Sequence, residues 1–160
     1  MNIKKITLAS LVGISLLTSA NAAQTVKVAL GVGSIDFGEA SESTTSIKAE
    51  LSKENSNFHF DLGYHSSELG GLTEFGVGYR YPLNNKIALG LSASIHGLAL
   101  DEQDTDTTDF AGFAYGLDGS YNITGGHFVD ASYKTGTLSD SAGLVDIDMT
   151  LTTIAYKYQF

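Results

Sequence analysis

From residue 24 to the C-terminus, apolar residues alternate with small or polar ones at a period of two. That period belongs to β-strands, whose successive side chains point to opposite faces of a sheet. The last stretch is the plainest case: Ile154, Tyr156, Tyr158 and Phe160 alternate with Ala155, Lys157 and Gln159. Comparable segments at about 24–36, 43–52, 57–65, 71–81, 86–98, 108–122, 127–137 and 145–160 predict eight strands. Helical periodicity is hard to find after residue 23, and no mature apolar run is long enough for a transmembrane helix.

One phase of the alternation is uncharged. It includes Val26, Val28, Leu30 and Val32; Ile47, Ala49 and Leu51; Phe58, Phe60, Leu62 and Tyr64; and Phe75, Val77, Tyr79 and Tyr81. It continues through Ile87 to Ile95, Phe113 to Tyr121, Val129 to Tyr133 and Ile154 to Phe160. The other phase carries the charges Lys27, Lys48, Glu50, Asp61, Glu74, Arg80, Lys86, Asp118, Asp130, Lys134 and Lys157, set among Gly, Ala and Ser.

Short turns at 53–56, 82–85 and 123–126 alternate with longer or more acidic connections near 37–42, 66–70, 99–107 and 138–144. Each segment has about the length needed to cross a bilayer on a tilt, and an even strand number puts both termini on the short-turn side. The prediction is therefore an all-β, eight-stranded antiparallel up-and-down transmembrane β-barrel. A soluble barrel would invert the pattern, with charges outside. The sparse charges among Gly, Ala and Ser are thin cover for a water-facing exterior. The same small residues leave room inside a narrow barrel for long charged side chains. Aromatic residues also gather at strand ends, with Tyr79, Tyr81, Tyr121, Tyr156, Tyr158 and Phe160 at one end and Tyr64 and Tyr133 at the other.

Two phase slips interrupt the pattern. Ile35 and Phe37 are out of step with Val26 to Val32, and Val145, Ile147, Met149 and Leu151 are out of step with Ile154 to Phe160. They fit either β-bulges or strand ends standing above the lipid.

The N-terminus adds a compartment. Met1 to Lys5 is basic, Ile6 to Ser19 is apolar, and Ala20-Asn21-Ala22 fits the small-x-small cleavage rule. The expectation is a signal peptide over 1–22 and one barrel domain over 23–160. The chain has no cysteine, which excludes disulfides, thiolate metal sites and a lipoprotein anchor.

On this signal sequence, meander, alternation and terminal Phe160, the chain resembles small bacterial outer-membrane barrels such as OmpX, Ail and the OmpA transmembrane domain. The resemblance implies a Gram-negative outer-membrane location with periplasmic termini, contact with lipopolysaccharide, and recognition of Phe160 by the barrel-assembly machinery. Such barrels serve as envelope structure, in surface interaction and, in some relatives, as lipid A enzymes. Fold does not choose among these.

The inward charges predict an ion-paired lumen, because unpaired charges in a low dielectric are costly. A pore lining is the alternative. His59, Asp61 and His65 share one inward face, but the histidines are too far apart along the strand to share an ion readily. The His65-Ser66-Ser67-Glu68 step faintly resembles the His/Ser/Glu set of lipid A deacylases, in which His activates Ser. It departs in facing inward and in crowding all three groups onto one segment.

Asp101, Glu102, Asp104 and Asp106 form the densest acidic cluster, a surface divalent-cation candidate that lacks the Gly and Glu of an EF-hand. With Asp36, Glu39, Glu42, Glu68, Asp109, Asp140, Asp146 and Asp148 they make the long-loop end acidic, with no Lys or Arg. Divalent cations or basic surface partners fit that pole, whereas nucleic acid does not. The reading is a structural or surface-interacting barrel without catalytic residues or cofactor. Its rivals are a porin-like small-solute channel and a lipid A-modifying enzyme.

Overall fold

A computed structural model describes residues 24–38, 40–100, 109–140 and 142–160. The expected signal peptide lies outside them. The strands are β1 (Gln24–Asp36), β2 (Ser41–Lys53), β3 (Phe58–Ser66), β4 (Gly70–Pro82), β5 (Ile87–Leu100), β6 (Asp109–Thr124), β7 (His127–Asp140) and β8 (Asp146–Gln159). Each pairs antiparallel with the next, and β8 pairs with β1 to close the barrel. Closure leaves no free edge, so every strand has two hydrogen-bonded neighbours.

Turn chemistry sets the short end. Asn84 Oδ1 accepts from the Lys86 and Ile87 N–H groups at 2.8 and 2.9 Å, which closes the β4–β5 turn. Gly125 and Gly126 both take positive φ in the β6–β7 turn, a conformation glycine adopts without steric cost.

The uncharged phase faces outward. Leu30, Val32, Phe75, Leu91, Phe113, Tyr115, Leu117 and Ile154 are all exposed there. The glycine-rich phase faces inward and is mostly buried, with Glu74 and Lys134 each only 1% exposed.

The two phase slips are not bulges. The β1–β8 register runs unbroken from Lys27↔Gln159 to Asp36↔Thr150. Ile35, Met149 and Leu151 keep the inward parity of Ala29 and Lys157, and all three are fully buried. What changes is the content of the lumen. Ile35, Leu72, Leu98, Phe110, Ala114, Leu138, Met149 and Leu151 form one apolar cluster at the long-loop end, flanked by Phe37, Leu100 and Ile147. The one register shift found lies at Asn122/Thr124, beside the β6–β7 turn.

Candidate functional site

The lumen below this apolar plug holds two charge clusters. The lower is built on Glu50 of β2. Its carboxylate accepts from Lys27 Nζ at 2.7 Å, from Lys157 Nζ at 2.9 Å and from the Arg80 guanidinium. Arg80 also pairs with Asp118 and, at 3.4 Å, with Asp130, while Lys157 also pairs with Asp130. Ser120 Oγ donates to Asp130 at 2.6 Å. The planar guanidinium has enough donors to bridge three carboxylates from β2, β6 and β7 at once.

The upper cluster is built on Glu74 of β4. It takes Lys48 Nζ at 3.2 Å, His65 Nε2 at 3.0 Å and Lys134 Nζ. It sits directly under the plug, because Leu72 is the next inward residue of the same strand. Asp61 completes the set, with His59 Nε2 at 3.5 Å.

Lys86 is not part of the network. It is exposed in the turn before β5, where the Asn84 side chain holds its backbone. Strand parity would carry it inward, but β5 begins one residue later, at Ile87, so Lys86 belongs to the turn. Five bases (Lys27, Lys48, Arg80, Lys134, Lys157) then face five acids (Glu50, Asp61, Glu74, Asp118, Asp130). The formal charges of these lysine, arginine and carboxylate side chains balance.

Two features escape a strand-by-strand reading. Phe128 lies opposite Lys157 in the β7–β8 register, with Lys27 and Lys157 Nζ at 5.4 and 5.6 Å from its ring centroid. Such contacts stabilise cations by roughly 0.5–2 kcal/mol. Ser94 Oγ and His96 Nε2 are 2.7 Å apart, a nucleophile–base distance, but His96 is fully enclosed. The other candidate pair does not form. His65 turns into the lumen toward Glu74, whereas Ser67 lies in the β3–β4 connection and donates to the Gly70 carbonyl at 3.3 Å.

Glu50, His59 and Asp61 are the group of potential metal ligands found among the described residues, their ligand atoms within 4.8 Å of one another. Both Glu50 oxygens already accept from cations, leaving one imidazole and one carboxylate. That donor set fits a neutral paired lumen better than a cation. The space left between the clusters is about 30 Å³, lined by Glu50, Arg80, Asp118, Lys134 and Lys157 among others. It has room for a few waters.

At the long-loop end, Asp140 Oδ1 caps the β7–β8 connection by accepting from Leu144 N–H at 2.7 Å. Asp146 and Asp148 accept from Ser139 and Thr137 at 2.6 and 3.0 Å. Asp101, Glu102, Asp104 and Asp106 lie outside the described residues.

No protein-family model matches the chain, and no curated protein is similar in sequence. Solved structures are similar in fold. The N-terminal barrel domain of Pseudomonas aeruginosa OprF superposes with a TM-score of 0.62 at 15% identity, covering 85% of this chain and 97% of that one. Neisserial surface protein A gives 0.56 at 15% identity, with 87% and 98% covered. Ail, the attachment invasion locus protein of Yersinia pestis, gives 0.54 at 14% identity, with 86% and 97% covered. The chain has the fold of an outer-membrane β-barrel, over nearly the full length of these neighbours.

Proposed function

We propose that the protein is a sealed outer-membrane barrel with a structural or surface-interaction role, its termini periplasmic and its acidic loop end outward. The observation that carries this reading is a lumen filled twice over, by paired charges and then by an apolar plug. A solute channel needs a continuous wet path, and the buried cluster of Ile35, Leu72, Leu138, Met149 and Leu151 stands across it. An enzyme acting on lipid A needs its nucleophile and base at the lipid-facing rim. Here Ser94 and His96 are enclosed, and His65 and Ser67 are apart.

Membrane residence rests on the exposed apolar belt. A monomer in water rarely leaves a contiguous apolar patch beyond a few hundred Å² uncovered, and this one circles the molecule. Phe160 closes the seam: its N–H donates to the Val26 carbonyl at 3.0 Å and its ring meets Tyr158 edge-on at 4.9 Å. That exposed aromatic end is the element offered to the assembly machinery.

The acidic end meets lipopolysaccharide phosphates through Ca²⁺ or Mg²⁺, whose preferred ligands are carboxylate and phosphate oxygens, or else a basic partner. Planar-bilayer recording tests the sealed lumen. Purified refolded protein should add no steady conductance, and discrete reproducible steps would support the channel instead.

A further inference from the structure

We infer that Lys27 and Lys157 form a clamp over the seam between β1 and β8, and that this clamp governs how slowly the first and last strands part. A sealed lumen requires only that its charges pair. The clamp goes beyond that and gives one group of them a separate task.

The seam differs from every other junction in the wall. Each of the other neighbouring pairs is joined by a connection of the chain, whereas β1 and β8 are held by their pairing alone. Bringing the two ends together closes a loop over the whole barrel, which carries the largest ordering cost of any pairing in it. Once parted, the two strands have no short tether to bring them back.

The inner side of the seam offers little packing between the plug and the lysines. Gly31 faces Ala155 and Gly33 faces Thr153. A Cβ on Gly31 would stand 2.8 Å from the Ala155 Cβ, so the two backbones lie close and no larger side chain fits between them. Below this stretch Ala29 faces Lys157. The small methyl group leaves Lys157 free to pass over β1.

The two lysines use that space in reciprocal ways. Lys27 of β1 is the cross-strand partner of Glu50 on β2 and pairs with it at 2.7 Å. It also reaches past β8, to 5.4 Å from the centre of the Phe128 ring on β7. Lys157 of β8 is the cross-strand partner of Phe128 and also pairs with Asp130, both on β7. It reaches past β1 to Glu50 at 2.9 Å. Each lysine therefore holds an anchor on its own side of the seam and crosses to the anchor on the other. One carboxylate and one aromatic face bind both cations, an arrangement that ties β7, β8, β1 and β2 together. Parting the seam would pull Lys157 from Glu50 and Lys27 from Phe128 at once, leaving charges without their partners in the lumen. The upper cluster has no such geometry: Lys134 of β7 meets Glu74 of β4 across the lumen and does not straddle the seam.

A covalent seam supplies the test, because a clamp becomes redundant once the strands are bonded. Val32 and Ile154 are direct outward partners on β1 and β8, and the chain has no cysteine of its own. The parent for the test carries Val32→Cys and Ile154→Cys, and each protein is compared with itself reduced and oxidised. Lys157→Met removes one arm of the clamp. Phe128→Leu keeps every charge and removes only the shared ring, so it remains informative if Lys157→Met fails to fold. Lys134→Met is the control from the upper cluster. Unfolding in urea from phosphatidylcholine vesicles would be timed by gel migration without boiling. In the reduced form, Lys157→Met and Phe128→Leu should each unfold several-fold faster than the parent. In the oxidised form that difference should vanish, while the difference caused by Lys134→Met should persist. Equal acceleration by Lys157→Met or Phe128→Leu in both forms would overturn the clamp. So would parent-like unfolding of both variants when reduced, or a disulfide that erases the effect of Lys134→Met equally.

Discussion

Ile35 and Leu151 meet across the seam that closes the barrel, each buried in the lumen, immediately beyond the outward pair Ser34 and Thr152. One step along the same two strands thus separates an outward hydroxyl pair from a buried apolar pair. This juxtaposition ties the plug to the wall that carries it.

The plug should behave as a core of its own. Leu151→Ala or Leu138→Ala removes a fully buried side chain and should cost about 2–5 kcal/mol. Leu138→Asp puts a charge among apolar neighbours, between Gly112 and Ile147, and should cost more. Urea unfolding in lipid vesicles, followed by tyrosine fluorescence, would read both. Costs below about 0.5 kcal/mol, the range of ordinary surface changes, would mean that the cluster is not packed.

The lumen network makes a sharper contrast. Glu50→Gln leaves Lys27, Arg80 and Lys157 facing one another without their shared carboxylate. Removing one partner of a buried ion set costs about 3–5 kcal/mol. Arg80→Lys should also destabilise, because an ammonium cannot span Glu50, Asp118 and Asp130 together. Lys86→Ala, outside the network, should stay within about 0.5 kcal/mol of the parent. Equal losses for Glu50→Gln and Lys86→Ala would contradict the arrangement.

How much of this was readable beforehand follows from what alternation encodes. It specifies strands and two faces, so the eight strands, their order and the lumen charges follow from residues such as Leu89, Leu117, Glu50 and Lys134. Alternation does not name the solvent on either side. Ile35 and Leu151 therefore read as lapses in the pattern, although their parity never changes; what changes is the lumen, from charged to apolar. Lys86 reads as inward by parity yet lies in the turn, because parity says nothing about where a turn ends. Pairings such as Glu50 with Lys157, 107 residues apart, depend on barrel closure and leave no local trace. The same holds for Phe128 beneath its two lysines and for Ser94 with His96.

Charge on the outer face should be tolerated according to height. Leu89→Arg and Leu117→Arg lie within the apolar belt and should cost roughly 2–4 kcal/mol each in vesicles. Thr137→Arg lies toward the long-loop end, beside the exposed Asp148, and should cost little. Gly116→Arg should fail for a different reason: any Cβ there would stand 2.0 Å from the Tyr133 carbonyl oxygen on β7, so the two strands would have to part. Folding yields in vesicles would separate these outcomes. Unchanged yields for Leu89→Arg and Leu117→Arg would reverse the assignment of faces.

The acidic loop should bind divalent cations weakly. Replacing Asp101, Glu102, Asp104 and Asp106 by Asn or Gln should reduce calcium binding in titration calorimetry without unfolding the barrel. The contacts should be salt-sensitive, with screening over about 8–10 Å at physiological ionic strength. An identical calcium response in parent and variant would leave the loop a solubilising rim.

The central claim is a barrel that crosses a bilayer with its apolar belt in lipid. Its most direct test is folding of the mature chain from urea into preformed lipid vesicles, read by circular dichroism and by gel migration with and without boiling. The account predicts vesicle-bound β-structure whose unboiled form migrates apart from the boiled one. A folded, monodisperse protein in buffer without lipid or detergent would contradict it.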